Sequence, residues 1–219
     1  MTDSPSTRSL AGLPDIATVR RVSQSIAMLE AILSPEWEQR YYSFNAGWAA
    51  HEQMASMRNG AGDEYFIWFA ATGAAMKGFD HEAPMTPYRV DPPKLWPGIY
   101  DSIPRGFDAF LREPAFSMDD ATFCIWRTPQ DSAWHCGVTE FPDEEDPDGS
   151  EWMFAILDGL PTTYHSFAQE YYEIEVALDA VAQIYAHATL TDALVAALNP
   201  ELCAADVAAD AREIGYPAD

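Results

Sequence analysis

The sequence predicts an α+β protein: an antiparallel sheet of about six strands (a meander plus a hairpin), packed with an N-terminal helix and a C-terminal helical segment. Three observations support this class. Apolar residues recur at helical spacing near the N-terminus, short apolar segments bounded by turn residues fill the middle, and a long stretch without Gly or Pro follows. We expect a single domain over residues 14–219, sheet-rich at 40–138 and helical at 150–215.

The N-terminal helix is predicted over residues 15–33. Asp15 follows Pro14 and can cap the first turn, and the apolar residues that follow share one helical face. These residues are Ile16, Val19, Val22, Ile26, Leu29 and Leu33. Residues 1–13 are polar and lack periodicity, so we expect them to form a disordered lead-in.

The strands are predicted in the middle of the chain. They cover residues 40–45, 52–58, 64–71, 74–80, 121–127 and 133–138. The second and third flank residues 59–63 (Asn-Gly-Ala-Gly-Asp), whose glycines supply the positive φ that a hairpin loop requires. Six prolines within residues 83–104 predict an ordered crossing loop, and one short helix is expected after it.

The C-terminal segment is predicted to be helical. From residue 162 to residue 188, apolar side chains alternate at spacings of three and four, which predicts one long helix or two helices with a break. Further helices are expected at residues 151–157, 191–198 and 201–214. The apolar stripe formed by these side chains within residues 162–188 also suits pairing with a second copy of the chain. A structural homo-oligomer, such as a homodimer, is therefore one alternative.

The charge distribution indicates the class of partner. Twelve basic and 35 acidic side chains give 12 − 35 = −23. Residues 1–100 contribute 8 − 11 = −3 and residues 101–219 contribute 4 − 24 = −20, and Arg212 is the only basic residue after Arg127. This charge repels nucleic acids and anionic membranes and favours a basic protein partner. Coding bias or salt adaptation would also explain acidity, but explains the difference between the halves less well.

Cysteine usage and the lack of targeting segments predict a cytoplasmic protein. Cys124, Cys136 and Cys203 are odd in number and form no C-x-x-C pair, which argues against a disulfide framework. Cys124 and Cys136 are expected to face each other across the second hairpin. With His135 they would begin a zinc site, but His135 should point to the other sheet face, so buried free cysteines are the preferred interpretation. The N-terminus lacks a signal-peptide core, and no apolar run reaches membrane-spanning length.

The side chains expected to form a docking surface are acidic. They are Glu144, Glu145, Asp146, Asp148, Glu170, Glu173 and Glu175. The first four lie in an acidic loop before the helices, and part of this loop matches an EF-hand. Ala155 stands where that motif requires a bidentate glutamate, so we predict no metal.

Enzyme activity is the second alternative. His81 lies between Asp80 and Glu82, and an imidazole beside carboxylates can act as a general base. Arg127 is isolated among acids and can clamp an anionic substrate, while His51 begins a second His-carboxylate pair that would meet the first at one sheet edge. A small-molecule hydrolase, or another enzyme, would therefore use His81, Glu82 and Arg127.

The leading hypothesis is a non-catalytic acidic module that binds a basic protein. The sequence contains no G-x-S-x-G, H-E-x-x-H, P-loop or G-x-G-x-x-G motif, and no cofactor is predicted. In charge and predicted class the chain resembles toxin-neutralising immunity proteins, a resemblance of general form that carries no residue over. It implies an immunity-like inhibitor of a basic partner.

Overall fold

The computed structural model describes residues 4–217, which form a six-stranded antiparallel sheet and seven α-helices. The strands, in the order β1-β2-β3-β4-β5-β6 across the sheet, are β1 (Tyr42–Ala49), β2 (Glu52–Arg58), β3 (Glu64–Ala70), β4 (Gly73–Phe79), β5 (Phe123–Arg127) and β6 (His135–Cys136). The helices are α1 (Ile16–Leu33), α2 (Asp108–Leu111), α3 (Ser150–Ala155), α4 (Pro161–Tyr172), α5 (Leu178–Tyr185), α6 (Asp192–Leu198) and α7 (Ala208–Ile214). The predicted α+β class is confirmed.

The boundaries differ from the prediction mainly in the C-terminal segment. For residues 162–188 the second predicted alternative, two helices with a break, is confirmed, because α4 ends at Tyr172 and α5 begins at Leu178. The helix predicted over residues 201–214 begins only at Ala208. Before it, the backbone forms turns of the i→i+3 type, in which the N–H of Asp206 donates to the carbonyl oxygen of Cys203 (3.1 Å) and that of Ala208 donates to that of Ala205 (3.4 Å).

The expectation of a disordered lead-in is wrong for residues 4–13. Ser6 and Thr7 are buried, and the backbone of Ser6 pairs with that of Ser9. The Thr7 backbone N–H donates a 2.9 Å hydrogen bond to Ser150 Oγ, and its hydroxyl donates to Asp148. A segment held by polar hydrogen bonds shows no hydrophobic periodicity in its sequence, so the sequence pattern did not reveal these contacts. Residues 1–3 lie outside the described residues.

The chain divides into two compact units. We call them the sheet unit (residues 1–16 and 56–155) and the helical unit (residues 17–55 and 156–219). The sequence hypothesis of a single domain over residues 14–219 stays a prediction, and residues 218–219 lie outside the described residues. Within residues 4–217, no helix has the length and apolar character needed to cross a bilayer.

The core of the sheet unit is aromatic. β3 and β4 pair so that Phe66 lies opposite Lys77, and the ring of Phe66 stacks on Phe116 at 5.0 Å. Lys77 is fully buried, and its Nζ lies 2.9 Å from Glu64 Oε1. Burial lowers the pKa of Lys77, and the charge of Glu64 opposes this shift.

The core of the helical unit is built on α1. The predicted apolar face of α1 is buried at Val19, Val22, Ile26 and Leu29. The other helices of this unit contribute fully buried side chains, as periodic apolar positions predict. Examples are Tyr164, Ala168, Val181, Ile184, Val195 and Ala211.

Candidate functional site

The C-terminal helices of the helical unit carry an excess of exposed carboxylates. They are Asp158, Glu170, Glu173, Glu175, Asp179, Asp192, Glu201, Asp206 and Glu213. Arg212 is the only basic residue of this unit after residue 155. Asp210 is half-buried instead and accepts a 2.6 Å hydrogen bond from Arg40, whose side chain is 8% exposed. The exposed carboxylates therefore dominate the charge of these helices.

Three large apolar side chains are exposed where α4 connects to α5. Tyr171 is 46% exposed, Ile174 is 43% exposed and Leu178 is 39% exposed. Single exposed apolar side chains are common, but three within eight consecutive residues indicate a possible contact surface. Carboxylates alternate with them along the chain. We call the whole set the docking patch: Glu170, Tyr171, Glu173, Ile174, Glu175, Leu178 and Asp179.

The connection between α4 and α5 is anchored at Val176 and begins with an unusual backbone conformation at Glu173. Val176 is 7% exposed, and its carbonyl oxygen lies 3.0 Å from Nε2 of His165 in α4. Glu173 ends α4 in the left-handed conformation, with φ 54° and ψ 37°. Glycine and asparagine are the residues that usually occupy this position, so a glutamate here is unusual.

The ring of Tyr171 is fixed by aromatic neighbours of the helical unit. It stacks on Phe167 with centroids 5.4 Å apart and planes 12° apart. The rings of Tyr41 and Tyr172 meet it at near-perpendicular angles, each with a centroid distance of 5.0 Å. An exposed tyrosine that is already ordered loses little conformational entropy when a partner binds.

A fully buried carboxylate, Glu30 of α1, supports this aromatic group. It accepts hydrogen bonds from the hydroxyls of Tyr164 (2.7 Å) and Tyr172 (2.8 Å) in α4. It also accepts from the backbone N–H groups of Tyr41 (2.7 Å) and Tyr42 (3.3 Å). Burial raises the pKa of Glu30, and these four donors oppose the shift. Glu30 thus ties α1 to the last turn of α4 and to the start of β1.

The acidic loop of the sheet unit (residues 141–150) uses part of its charge internally. Asp146 accepts hydrogen bonds from the backbone N–H groups of Glu151 (3.0 Å) and Trp152 (3.1 Å) in the first turn of α3. Of the other predicted binding residues in this loop, Glu144 and Glu145 are exposed.

Asp148 does not contribute to an exposed acidic surface, because it is 1% exposed. It accepts hydrogen bonds from the Thr7 hydroxyl and from the backbone N–H of Ser150 (3.0 Å). Burial raises the pKa of Asp148, and the hydrogen bonds oppose this. The next residue, Gly149, has φ 77°, and a Cβ there would lie 2.5 Å from the Asp80 carboxylate. The loop backbone therefore requires glycine at this point.

His81 pairs more closely with Asp63 than with the predicted Glu82. Its Nδ1 lies 2.6 Å from Asp63 Oδ1, whereas its Nε2 lies 3.9 Å from Glu82 Oε1. The hydrogen bond to Asp63 raises the pKa of His81. Burial would raise the pKa of Asp63, but the hydrogen bonds from His81 and Asn59 outweigh it and the pKa is lowered. The pair has the geometry of a general base and its orienting carboxylate.

Asp80 has structural partners of its own. Its Oδ1 accepts from the backbone N–H groups of Glu82 (2.9 Å) and Ala83 (3.0 Å), and its Oδ2 accepts from Trp152 Nε1 (3.0 Å). Donor atoms of Asp63, Asp80 and His81 lie within 4.8 Å of one another. An imidazole and two carboxylates are ligand types that bind divalent metals, and each of these side chains also has hydrogen-bond partners in the protein.

The other predicted catalytic residue, Arg127, does not approach His81. Arg127 lies opposite Ala74 at the start of β4, whereas His81 follows the end of that strand, about 20 Å away at the rise of an extended chain. The guanidinium donates instead to the carbonyl oxygens of Asp131 (3.2 Å) and Ser132 (3.1 Å). His51 belongs to the helical unit, where it has φ 64°, and its approach to His81 stays a prediction.

The two hairpin cysteines are not cross-strand partners. On the β6 side of β5, Cys136 lies opposite Ile125 and not opposite Cys124, so the predicted register is wrong by one residue. On the other side of β5, Cys124 lies opposite Lys77 of β4. Burial raises the pKa of Cys124 and keeps the thiol protonated. The free, buried state expected for Cys124 is confirmed, while Cys136 is partly exposed.

Two residues of these sites escaped the sequence prediction. Glu30 follows Ile26 by four positions and precedes Leu33 by three, so its place beside the apolar face of α1 was a usable signal. Asp63 was assigned only to a turn, and no sequence spacing links it to His81. Comparison of the chain with protein-family models, curated proteins and solved structures found no match.

Proposed function

We propose that this protein is a non-catalytic module that binds a basic protein partner, in the manner of an immunity-like inhibitor. The docking patch is the observation that carries this proposal. Its acidic side chains form no ion pair among residues 4–217, and they alternate with exposed apolar side chains. Protein interfaces combine buried aromatic anchors with a charged rim in the same way.

The charge of the helical unit supports a basic partner. After residue 155 the only basic residue of this unit is Arg212, and residues 17–55 add Arg20, Arg21 and Arg40, of which Arg40 pairs with Asp210. A field of one sign speeds the encounter with an oppositely charged protein, by about 10- to 1,000-fold at low salt. It also rejects acidic proteins, because like charges facing each other cost several kcal/mol. The partner should therefore be basic, and binding should weaken with salt.

Two features support a role without catalysis. The His81–Asp63 pair lies in an exposed loop, where the His81 side chain is 41% exposed. In the same unit, a shallow depression of about 490 Å³ is formed within residues 111–120, and its lining contains no His, Cys or Lys. Active sites usually combine a cavity with shifted titratable groups, and neither feature supplies both.

Affinity capture with matched variants tests the proposal. The immobilised protein is exposed to extract of its source cells, and captured proteins are identified, purified and titrated back. We expect a basic protein whose affinity falls at 0.5 M salt, where the screening length is about 4 Å. Glu170→Gln/Glu173→Gln/Glu175→Gln should slow its association about 10-fold.

The matched control is Glu36→Gln/Glu38→Gln/Glu213→Gln, which removes the same charge from exposed positions of the same unit outside the docking patch. We expect a smaller effect from this control. The proposal fails if no protein is enriched over an unrelated acidic bait, or if the captured protein is acidic and binds equally well at both salt concentrations.

A small-molecule hydrolase remains the second candidate because of the 2.6 Å contact between His81 and Asp63. Such an enzyme should hydrolyse members of a panel of p-nitrophenyl esters and phosphoesters, and His81→Ala should abolish that activity without altering thermal unfolding. A purified chain that shows no hydrolysis above buffer would remove this candidate.

A further inference from the structure

The docking patch combines carboxylates with exposed apolar side chains, and this combination favours one kind of partner side chain. We infer that it receives arginine or lysine side chains from an amphipathic segment of the partner, an inference that rests on the proposed function. The apolar stems of such side chains suit the exposed Ile174 and Leu178, while their charged heads suit the exposed carboxylates that alternate with them along the chain. The partly exposed ring of Tyr171 adds a cation–π partner.

A purely apolar partner does not fit this surface. Glu170, Glu173 and Glu175 would be desolvated beneath it without gaining a positive charge, and buried unpaired carboxylates are strongly unfavourable. An arginine-bearing segment satisfies the same carboxylates with charge-assisted hydrogen bonds. The alternation of acidic and apolar residues therefore favours a partner segment that is itself both basic and apolar.

A second copy of the chain does not fit either. In a two-fold symmetric dimer the same patch would face itself, so the carboxylates of one copy would meet those of the other. The continuous helical seam on which the homodimer hypothesis depended is also interrupted between α4 and α5. Charge complementarity thus favours a basic partner over a second copy of the chain.

Substitution of Glu173 should distinguish effects on binding from effects on folding stability. Its left-handed conformation is unfavourable for a residue with a side chain, and its negative charge lies at the carboxyl end of α4. Glu173→Gly should relieve both effects and raise the thermal midpoint. The same substitution removes a carboxylate from the docking patch, so stability and affinity should change in opposite directions.

The probe is a fluorescein-labelled 15-residue amphipathic peptide with arginines on one face and leucines on the other, titrated by anisotropy. We expect Tyr171→Ala and the triple Glu→Gln variant of the docking patch each to weaken binding about 10-fold, and Glu173→Gly about 3-fold. The control variant Glu36→Gln/Glu38→Gln/Glu213→Gln should change affinity less than about 2-fold. A peptide with glutamine in place of arginine should not bind.

Backbone amide NMR shifts locate the contact. We expect the peptide to shift residues 170–179. Shifts elsewhere, equal weakening by both triple variants, or binding of the glutamine peptide would overturn the inference. So would concentration-dependent dimers whose formation shifts residues 170–179.

The capture experiment keeps the two proposals distinct. If a captured basic protein binds Tyr171→Ala and the triple Glu→Gln variant of the docking patch as tightly as the wild type, the docking patch is not the binding site. The proposed function would still stand. Failure to capture any basic protein would remove the function.

Discussion

Two acidic segments of this protein use their carboxylates in opposite ways. In the acidic loop of the sheet unit, Asp146 and Asp148 accept hydrogen bonds from backbone and hydroxyl groups of the same unit. In the docking patch of the helical unit, the side chains of Glu170, Glu173 and Glu175 have no hydrogen bond or ion pair to any part of the chain that the structure describes. Similar compositions therefore produce a structural loop in one unit and an available surface in the other.

The difference follows from the helix ends beside the two segments. The acidic loop leads into the first turn of α3, where backbone N–H groups lack partners within the helix and attract carboxylates. The docking patch begins at the last turn of α4, where the free backbone groups are carbonyl oxygens that cannot bond a carboxylate. Position relative to a helix end therefore explains the available carboxylates of Glu170 and Glu173. It does not decide every case, because Asp179 lies in the first turn of α5 and its side chain has no hydrogen bond within residues 4–217.

The largest effect is expected at the carboxylate beneath the patch. Glu30→Ala leaves two backbone N–H groups and two tyrosine hydroxyls without their acceptor, so it should lower the unfolding free energy by about 4 kcal/mol. Urea unfolding at pH 7 measures this loss. Glu36→Ala, at an exposed glutamate of the same unit, is the control and should change the free energy by less than about 0.5 kcal/mol. Equal losses would contradict the proposed role of Glu30.

An intermediate effect is expected at Asp148, and it should depend on pH. Because its pKa is raised in the folded chain, its contribution to stability is complete below the ordinary value of 3.8 and declines as pH rises through the folded value. Asp148→Asn cannot titrate and should lack this decline, whose slope is at most about 1.4 kcal/mol per pH unit.

Urea unfolding of both proteins between pH 4 and pH 8 tests this prediction. The unfolding free energy of the wild type, relative to that of Asp148→Asn, should fall as pH rises. A relative increase over the same range would show that the charged carboxylate stabilises the loop. Glu145→Gln, an exposed change in the same loop, should follow the wild-type curve.

The smallest effect on stability is expected from the exposed acids. The triple Glu→Gln variant of the docking patch should leave the unfolding free energy within about 0.5 kcal/mol of the wild-type value, because solvent screens exposed charges and these carboxylates have no internal partner. Thermal unfolding at 0.05 M and 0.5 M salt measures it. A loss above 1 kcal/mol would break the comparison, since the patch would then be part of the fold.

Local patterns predicted most of the secondary structure. The β2–β3 hairpin and the helix over residues 15–33 were found because turn residues and apolar periodicity act over a few positions. The register of Cys136 was missed by one residue because the strand β6 spans only two residues and provides little alternation to read. The start of α7 was missed because residues 203–208 form i→i+3 turns, which local apolar periodicity does not separate from an α-helix.

The candidate site was only partly predictable. Glu170, Glu173 and Glu175 were identified from charge, and all three are exposed. The fixed ring of Tyr171 was not anticipated, because its neighbour Tyr41 is distant in sequence. Glu30 was missed for the same reason, since its tyrosine partners in α4 lie more than 130 positions away along the chain.

The sequence by itself determined the α+β class, the order of strands and helices, and the concentration of negative charge after Arg127. Each of these depends on residue type and on spacing over a few positions. Only the tertiary structure decided which carboxylates accept hydrogen bonds within the protein, as at Glu30, Asp63 and Asp148, and which remain available to a partner. Hydrogen-bond partners and burial come from segments far apart in the chain, and no local pattern encodes them.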